Sequence, residues 1–117
     1  MRIILDTNVL VSGIFFKGPP FRILETWKQS KIKIVASNSI LEEYTRTIHR
    51  LSHQFPAIDV SDFWDLLTVK AEIVAEIVLL KPISRDKSDD KFLACALSSK
   101  VSIIVSGDDD PFISSSF

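Results

Sequence analysis

Four short, mainly apolar runs constrain this chain more than any other feature: Ile3-Ile4-Leu5, Lys33-Ile34-Val35-Ala36, Ile77-Val78-Leu79-Leu80 and Val101 to Val105. Runs of this length without polar alternation fit strands buried on both faces, as in a parallel sheet. Longer segments with helical spacing separate them. Pro20 fits the first turn of a helix to about Ser30, with Phe21, Leu24 and Trp27 on one face. Ser37-Asn38-Ser39 supplies N-cap chemistry for a helix to about His53, carrying Ile40, Leu41, Tyr44, Ile48 and Leu51, and Pro56 closes it. Asp59, Ser61 and Asp62 open a further helix through Phe63, Leu66, Leu67 and Ala71 to about Ala75. A charged loop from Arg85 leads into a helix from Asp89 to Ser99, with Phe92, Leu93, Ala96 and Leu97. Strands alternating with amphipathic helices predict one parallel, doubly wound α/β domain spanning residues 1–117.

Composition narrows the function classes. Hydrophobic residues make up 46% and charged residues 25%, the balance of an ordinary globular domain. The net charge of -1 argues against a basic nucleic-acid binder held by counterion release, and leaves room for an enzyme that meets nucleic acid through a metal. Any positive patch is then local: Lys28, Lys31 and Lys33, or Arg46 and Arg50. Cys95 is the only cysteine, so neither an intrachain disulfide nor a cysteine-based zinc site can form. The opening apolar run is broken by Asp6 and is too short for a signal peptide, and no stretch is long enough to span a bilayer. A cytoplasmic protein is expected.

In open parallel sheets ligands bind beyond the carboxyl ends of the strands. Asp6 follows the first strand and Asp108 the last, and two further acids lie at helix starts expected to face the same edge. A bland reading exists for each: Asp6 as a helix cap or Asx-turn, Asp108 as part of a solvated turn with Asp109 and Asp110. Helix periodicity separates adjacent acids. Around the apolar face of Ile40, Leu41, Tyr44, Ile48 and Leu51, Glu43 falls about 110° from the centre and Glu42 about 150° away. Glu42 is also explained by a capping box with Ser39. Glu43 is therefore the site candidate. By the same test Asp89 lies within the stripe of Phe92, Leu93 and Ala96, and Asp90 is turned away, with Asp86 in the preceding loop. Four clustered acids repel unless a cation or protons neutralise them. Oxygen ligands without cysteine suit Mg²⁺ or Mn²⁺, which can lower the pKa of a water and neutralise a phosphodiester.

These segments resemble a known family. Leu5-Asp6-Thr7-Asn8-Val9-Leu10-Val11-Ser12, Ser39-Ile40-Leu41-Glu42-Glu43-Tyr44, Asp86 through Ala96, and Val105-Ser106-Gly107-Asp108 are similar, in order and spacing, to the four motifs of PIN domains. The branch it resembles is that of toxins from toxin–antitoxin pairs, related to VapC-type proteins. The resemblance implies a three-layer α/β/α fold with a central parallel sheet. It implies a Mg²⁺- or Mn²⁺-dependent ribonuclease acting on RNA and leaving a 5′-phosphate and a 3′-hydroxyl. Its acids map to Asp6, Glu43, Asp89 and Asp108, with Asp6, Asp89 and Asp108 as metal ligands, and Asn8, Ser106 and Asp110 as supporting polar positions. A homodimer and a cognate antitoxin are the partners it implies.

One departure stands out. Past the fourth motif the chain offers only Asp109 to Phe117, so the last strand of the family is expected to be missing and Val101 to Val105 to form an exposed edge. That shortening motivates an alternative: a catalytically impaired PIN-fold protein acting as a binding or regulatory module. A phosphoryl-transfer enzyme of the HAD type also places an Asp after its first strand, but needs a second Asp where Asn8 stands.

Overall fold

The computed structural model describes residues 1–16, 18–75, 90–101, 103–105 and the strand at 112–114. Strands β1 (Arg2–Leu5), β2 (Lys33–Ala36), β3 (Glu72–Ile73), β4 (Ile103–Val105) and β5 (Phe112–Ser114) form one sheet in the order β3-β2-β1-β4-β5. β1 pairs in parallel with β2 (Ile3 opposite Ile34) and with β4 (Leu5 opposite Val105), and β2 pairs in parallel with β3. Ile3, Ile4, Leu5, Ile34, Val35 and Ala36 are all buried. Successive strand residues point to opposite faces, so both faces of the sheet centre are covered, as the unbroken apolar runs predict.

The helices are α1 (Thr7–Phe15), α2 (Pro19–Lys28), α3 (Asn38–Gln54), α4 (Ser61–Lys70) and α5 (Asp90–Ser99). α5 packs against β1, β2 and β4, α3 against β2, and α1 against both α2 and α3. Gly13 makes the α1–α2 approach possible: a Cβ there would stand 2.7 Å from the Pro20 carbonyl oxygen and 2.7 Å from Leu24 Cδ1. At the other end of the sheet Arg2 pairs with Glu72 across β2 and donates to the Ser99 carbonyl at 2.8 Å, which ties β3 and the end of α5 to β1. The chain steps outward from β1 to β2 to β3 and returns on the far side of β1 as β4. The strand order therefore reverses between β1 and β4, where ligands bind in open α/β sheets.

Four sequence expectations require correction or fall elsewhere. The last strand is not missing: β5 runs antiparallel to β4, with Ile104 opposite Ile113, so β4 is not the exposed edge. The helix expected to reach Ala75 ends at Lys70, and Glu72–Ile73 instead extends the sheet beside β2. An edge strand of two residues, one part-buried and one exposed, carries no continuous apolar run. The cap of α3 is Ser37, whose Oγ accepts from Ile40 N, so Ser39 stands at the second helical position and not at the cap. The strand expected at Ile77 to Leu80 lies outside the described residues.

Candidate active site

β1 ends at Leu5, and Asp6 turns the chain directly into α1. Its backbone is extended (φ -60°, ψ 146°), it occupies the N-cap position, and its side chain makes no capping hydrogen bond. The bland reading of Asp6 as a side-chain cap is thereby set aside. The Asp6 N–H donates to the Val105 carbonyl at 2.9 Å, fixing Asp6 beside the end of β4 at the strand-order reversal. The first turn of a helix also favours negative charge.

Glu43 reaches the same place from α3. Its neighbour Tyr44 is fully buried and donates its hydroxyl to the Leu5 carbonyl at 2.5 Å, pinning α3 to the end of β1. Glu43 then lies where Thr7, itself buried, donates its hydroxyl to Oε2. Lys91, the second residue of α5, donates to Oε1 at 2.5 Å. Both carboxylate oxygens of Glu43 are thus engaged, one by each flanking helix. Glu42 is exposed and Glu43 part-buried, the division that helix periodicity predicts.

The electrostatics follow from these contacts. Burial pushes the Glu43 carboxyl up, but the hydrogen bonds from Lys91 and Thr7 and the charges of Lys91 and Arg46 outweigh it, leaving the group below its ordinary value. Tyr44 is held well above the usual phenol range by burial, then by Cys95 and by the carboxylates of Asp6 and Glu43. The charges of Asp6 and Glu43 therefore both bear on the Tyr44 hydroxyl.

Of the residues singled out in the sequence, Asp6 and Glu43 are brought together. Asn8 sits exposed in the first turn of α1, and Asp90 opens α5 half-buried. Asp89, Ser106, Asp108 and Asp110 lie outside the described residues. Among the described residues no group of three or more His, Cys, Asp or Glu is placed to hold a metal. The described acids at this edge, Asp6 and Glu43, offer oxygen only, which fits a hard divalent ion. Lys91 and Thr7 were not anticipated as site residues. Thr7 carried a usable signal, a hydroxyl directly beside Asp6 where the first strand ends. Lys91 carried none, because its role depends on α5 meeting α3. Of the two candidate basic patches, Lys33 begins β2 at the opposite sheet edge, and Arg46 lies close enough to act on Glu43.

Among the described residues no helix is long and apolar enough to cross a membrane. No curated protein and no solved structure matches the chain. PIN domains are in general nucleases, they generally use divalent metal ions, and PIN nucleases bind RNA. A family model described as the PIN domain matches residues 2–110, nearly the whole sequence, and the chain accordingly belongs to the PIN-domain family.

Proposed function

We propose that this chain is a Mg²⁺- or Mn²⁺-dependent endoribonuclease, the toxin of a toxin–antitoxin pair, acting in the cytoplasm. The observation that carries the reading is the convergence of Glu43, Thr7 and Lys91 beside Asp6 at the β1–β4 reversal. Asp6, Asp89 and Asp108 are the proposed metal ligands. Asp89 immediately precedes α5 in the sequence and Asp108 comes three residues after the end of β4. Asn8, Ser106 and Asp110 are proposed as supporting polar groups. A bound divalent ion would neutralise charge on the phosphodiester and ease deprotonation of a water.

The chain's own residues supply the rest. Glu43 keeps a free lone pair on each oxygen after accepting from Lys91 and Thr7, enough to orient an attacking water. With Thr7 and Lys91 each holding one of its oxygens, Glu43 is assigned to orient the attacking water. The water oxygen forms the new bond to phosphorus and the bond from phosphorus to the 3′ oxygen breaks. The water gives up a proton to solvent, and the 3′ oxygen takes one from solvent and leaves as a hydroxyl, with the phosphate retained on the 5′ side. Arg46, exposed beside Glu43, is placed to meet the RNA backbone.

The alternative of a catalytically impaired binding module rested on an absent last strand, and β5 occupies that place. A homodimer and an inhibitory antitoxin are the proposed partners. Two substitutions test the assignment. Asp6→Asn should remove both Mn²⁺ binding and RNA cleavage from a folded chain. Glu43→Gln should cut kcat while Mn²⁺ affinity stays within a fewfold. Full activity of Asp6→Asn would sink the site, and loss of Mn²⁺ affinity in Glu43→Gln would make Glu43 a ligand instead.

A further inference from the structure

The solvent face of α3 carries a second cluster of metal-ligating groups, separate from the carboxylates. His49 and His53 stand one helical turn apart and both are exposed. Their Nε2 atoms face each other at 3.4 Å, with ring centroids 4.8 Å apart and ring planes at 89°. A separation of 3.4 Å is longer than an ordinary nitrogen hydrogen bond. It is the spacing of two ligands on one ion: nitrogens about 2.0–2.1 Å from a tetrahedral zinc stand roughly 3.4 Å apart. The same nitrogen of both exposed rings thus stands at ligand spacing on the solvent face of α3.

We propose that His49 and His53 form a two-histidine chelate for a borderline divalent transition ion such as Zn²⁺ on the exposed face of α3. Neutral imidazole suits Zn²⁺, Ni²⁺ and Cu²⁺, and disfavours the Mg²⁺ or Mn²⁺ that oxygen ligands take. Arg46 and Arg50 each lie within one turn and oppose a bound cation, so the site selects ions that bond strongly to nitrogen rather than ions drawn by charge alone. Water fills the remaining coordination positions. Occupancy joins successive turns at the end of α3 and stabilises that helix by binding only the folded chain.

Titration calorimetry of the untagged full chain with Zn²⁺, in excess Mg²⁺ to occupy the carboxylate site, reads the proposal directly. Wild type should take up one Zn²⁺, and His49→Gln and His53→Gln should each weaken binding by at least about tenfold, since even outer-shell partners of metal ligands are worth that much. Zn²⁺ should raise the thermal midpoint of wild type and not of either variant. Both positions are exposed, so circular dichroism of the variants should match wild type. No Zn²⁺ uptake by wild type, or uptake unchanged in either variant, would overturn the chelate. The readout does not depend on nuclease activity.

Discussion

Removing Lys91 should expose how Glu43 is held. The two side chains are 21% and 22% exposed, between a surface pair and a buried one. Exposed pairs contribute about 0–1 kcal/mol, whereas losing one partner of a buried pair costs about 3–5 kcal/mol. Lys91→Met keeps the aliphatic stem and deletes the charge, so we expect a loss of about 1–3 kcal/mol at pH 7. Urea unfolding of wild type, Lys91→Met, Glu43→Gln and the double variant gives the coupling energy directly. The pH dependence has a definite sign. The folded-state value of Glu43 is depressed below 4.5, so its stabilising contribution is present above pH 4.5 and disappears as pH falls through the folded value. Without Lys91, burial acts against the hydrogen bond from Thr7 and the charge of Arg46, and the Glu43 value should rise, as carboxyl carbon NMR would report. A Lys91→Met variant as stable as wild type, with an unmoved Glu43 titration, would refute this account of the site.

Three structural predictions follow from single contacts. Tyr44→Phe deletes the buried hydrogen bond to the Leu5 carbonyl and should cost about 1–3 kcal/mol in urea unfolding. It should also lower cleavage, because α3 then loses its tie to the end of β1; a variant with full stability and activity would show that the tie is idle. Gly13→Ala places a methyl 2.7 Å from the Pro20 carbonyl and should destabilise by about 1–3 kcal/mol, read as a lower thermal midpoint. Lys100 ends α5 at φ 60°, with Val101 N donating to the Ala96 carbonyl at 3.1 Å. Lys100→Gly should therefore stabilise the fold by roughly 0.5–1 kcal/mol, and a fall in the denaturation midpoint would contradict the left-handed cap.

The sheet centre was legible because β1 and β2 must be apolar on both faces, which leaves an unbroken run in the sequence. Glu43 was separable from Glu42 because a 17-residue helix shows its apolar stripe clearly. The edges were not legible. β3 needs a partner on one side only, and Glu72–Ile73 meets that need with its backbone. β5 lies in a serine-rich segment and likewise joins the sheet through backbone pairing to β4. The cap of α3 was legible only to within Ser37-Asn38-Ser39, because Ser37 and Ser39 are both good caps and the strand exit from Ala36 decides between them. The Lys91–Glu43 pair joins residues 48 apart and has no local signature.

We assign metal-dependent RNA hydrolysis to the carboxylates at the β1–β4 reversal. Cleavage of a mixed single-stranded RNA pool by the purified chain, with Mn²⁺, with EDTA and as Asp6→Asn, tests it most directly. Products with a 5′-phosphate should appear with Mn²⁺ and disappear with EDTA or Asp6→Asn. A folded wild-type chain that leaves every RNA intact in Mn²⁺, or cleavage indifferent to Asp6, would contradict it.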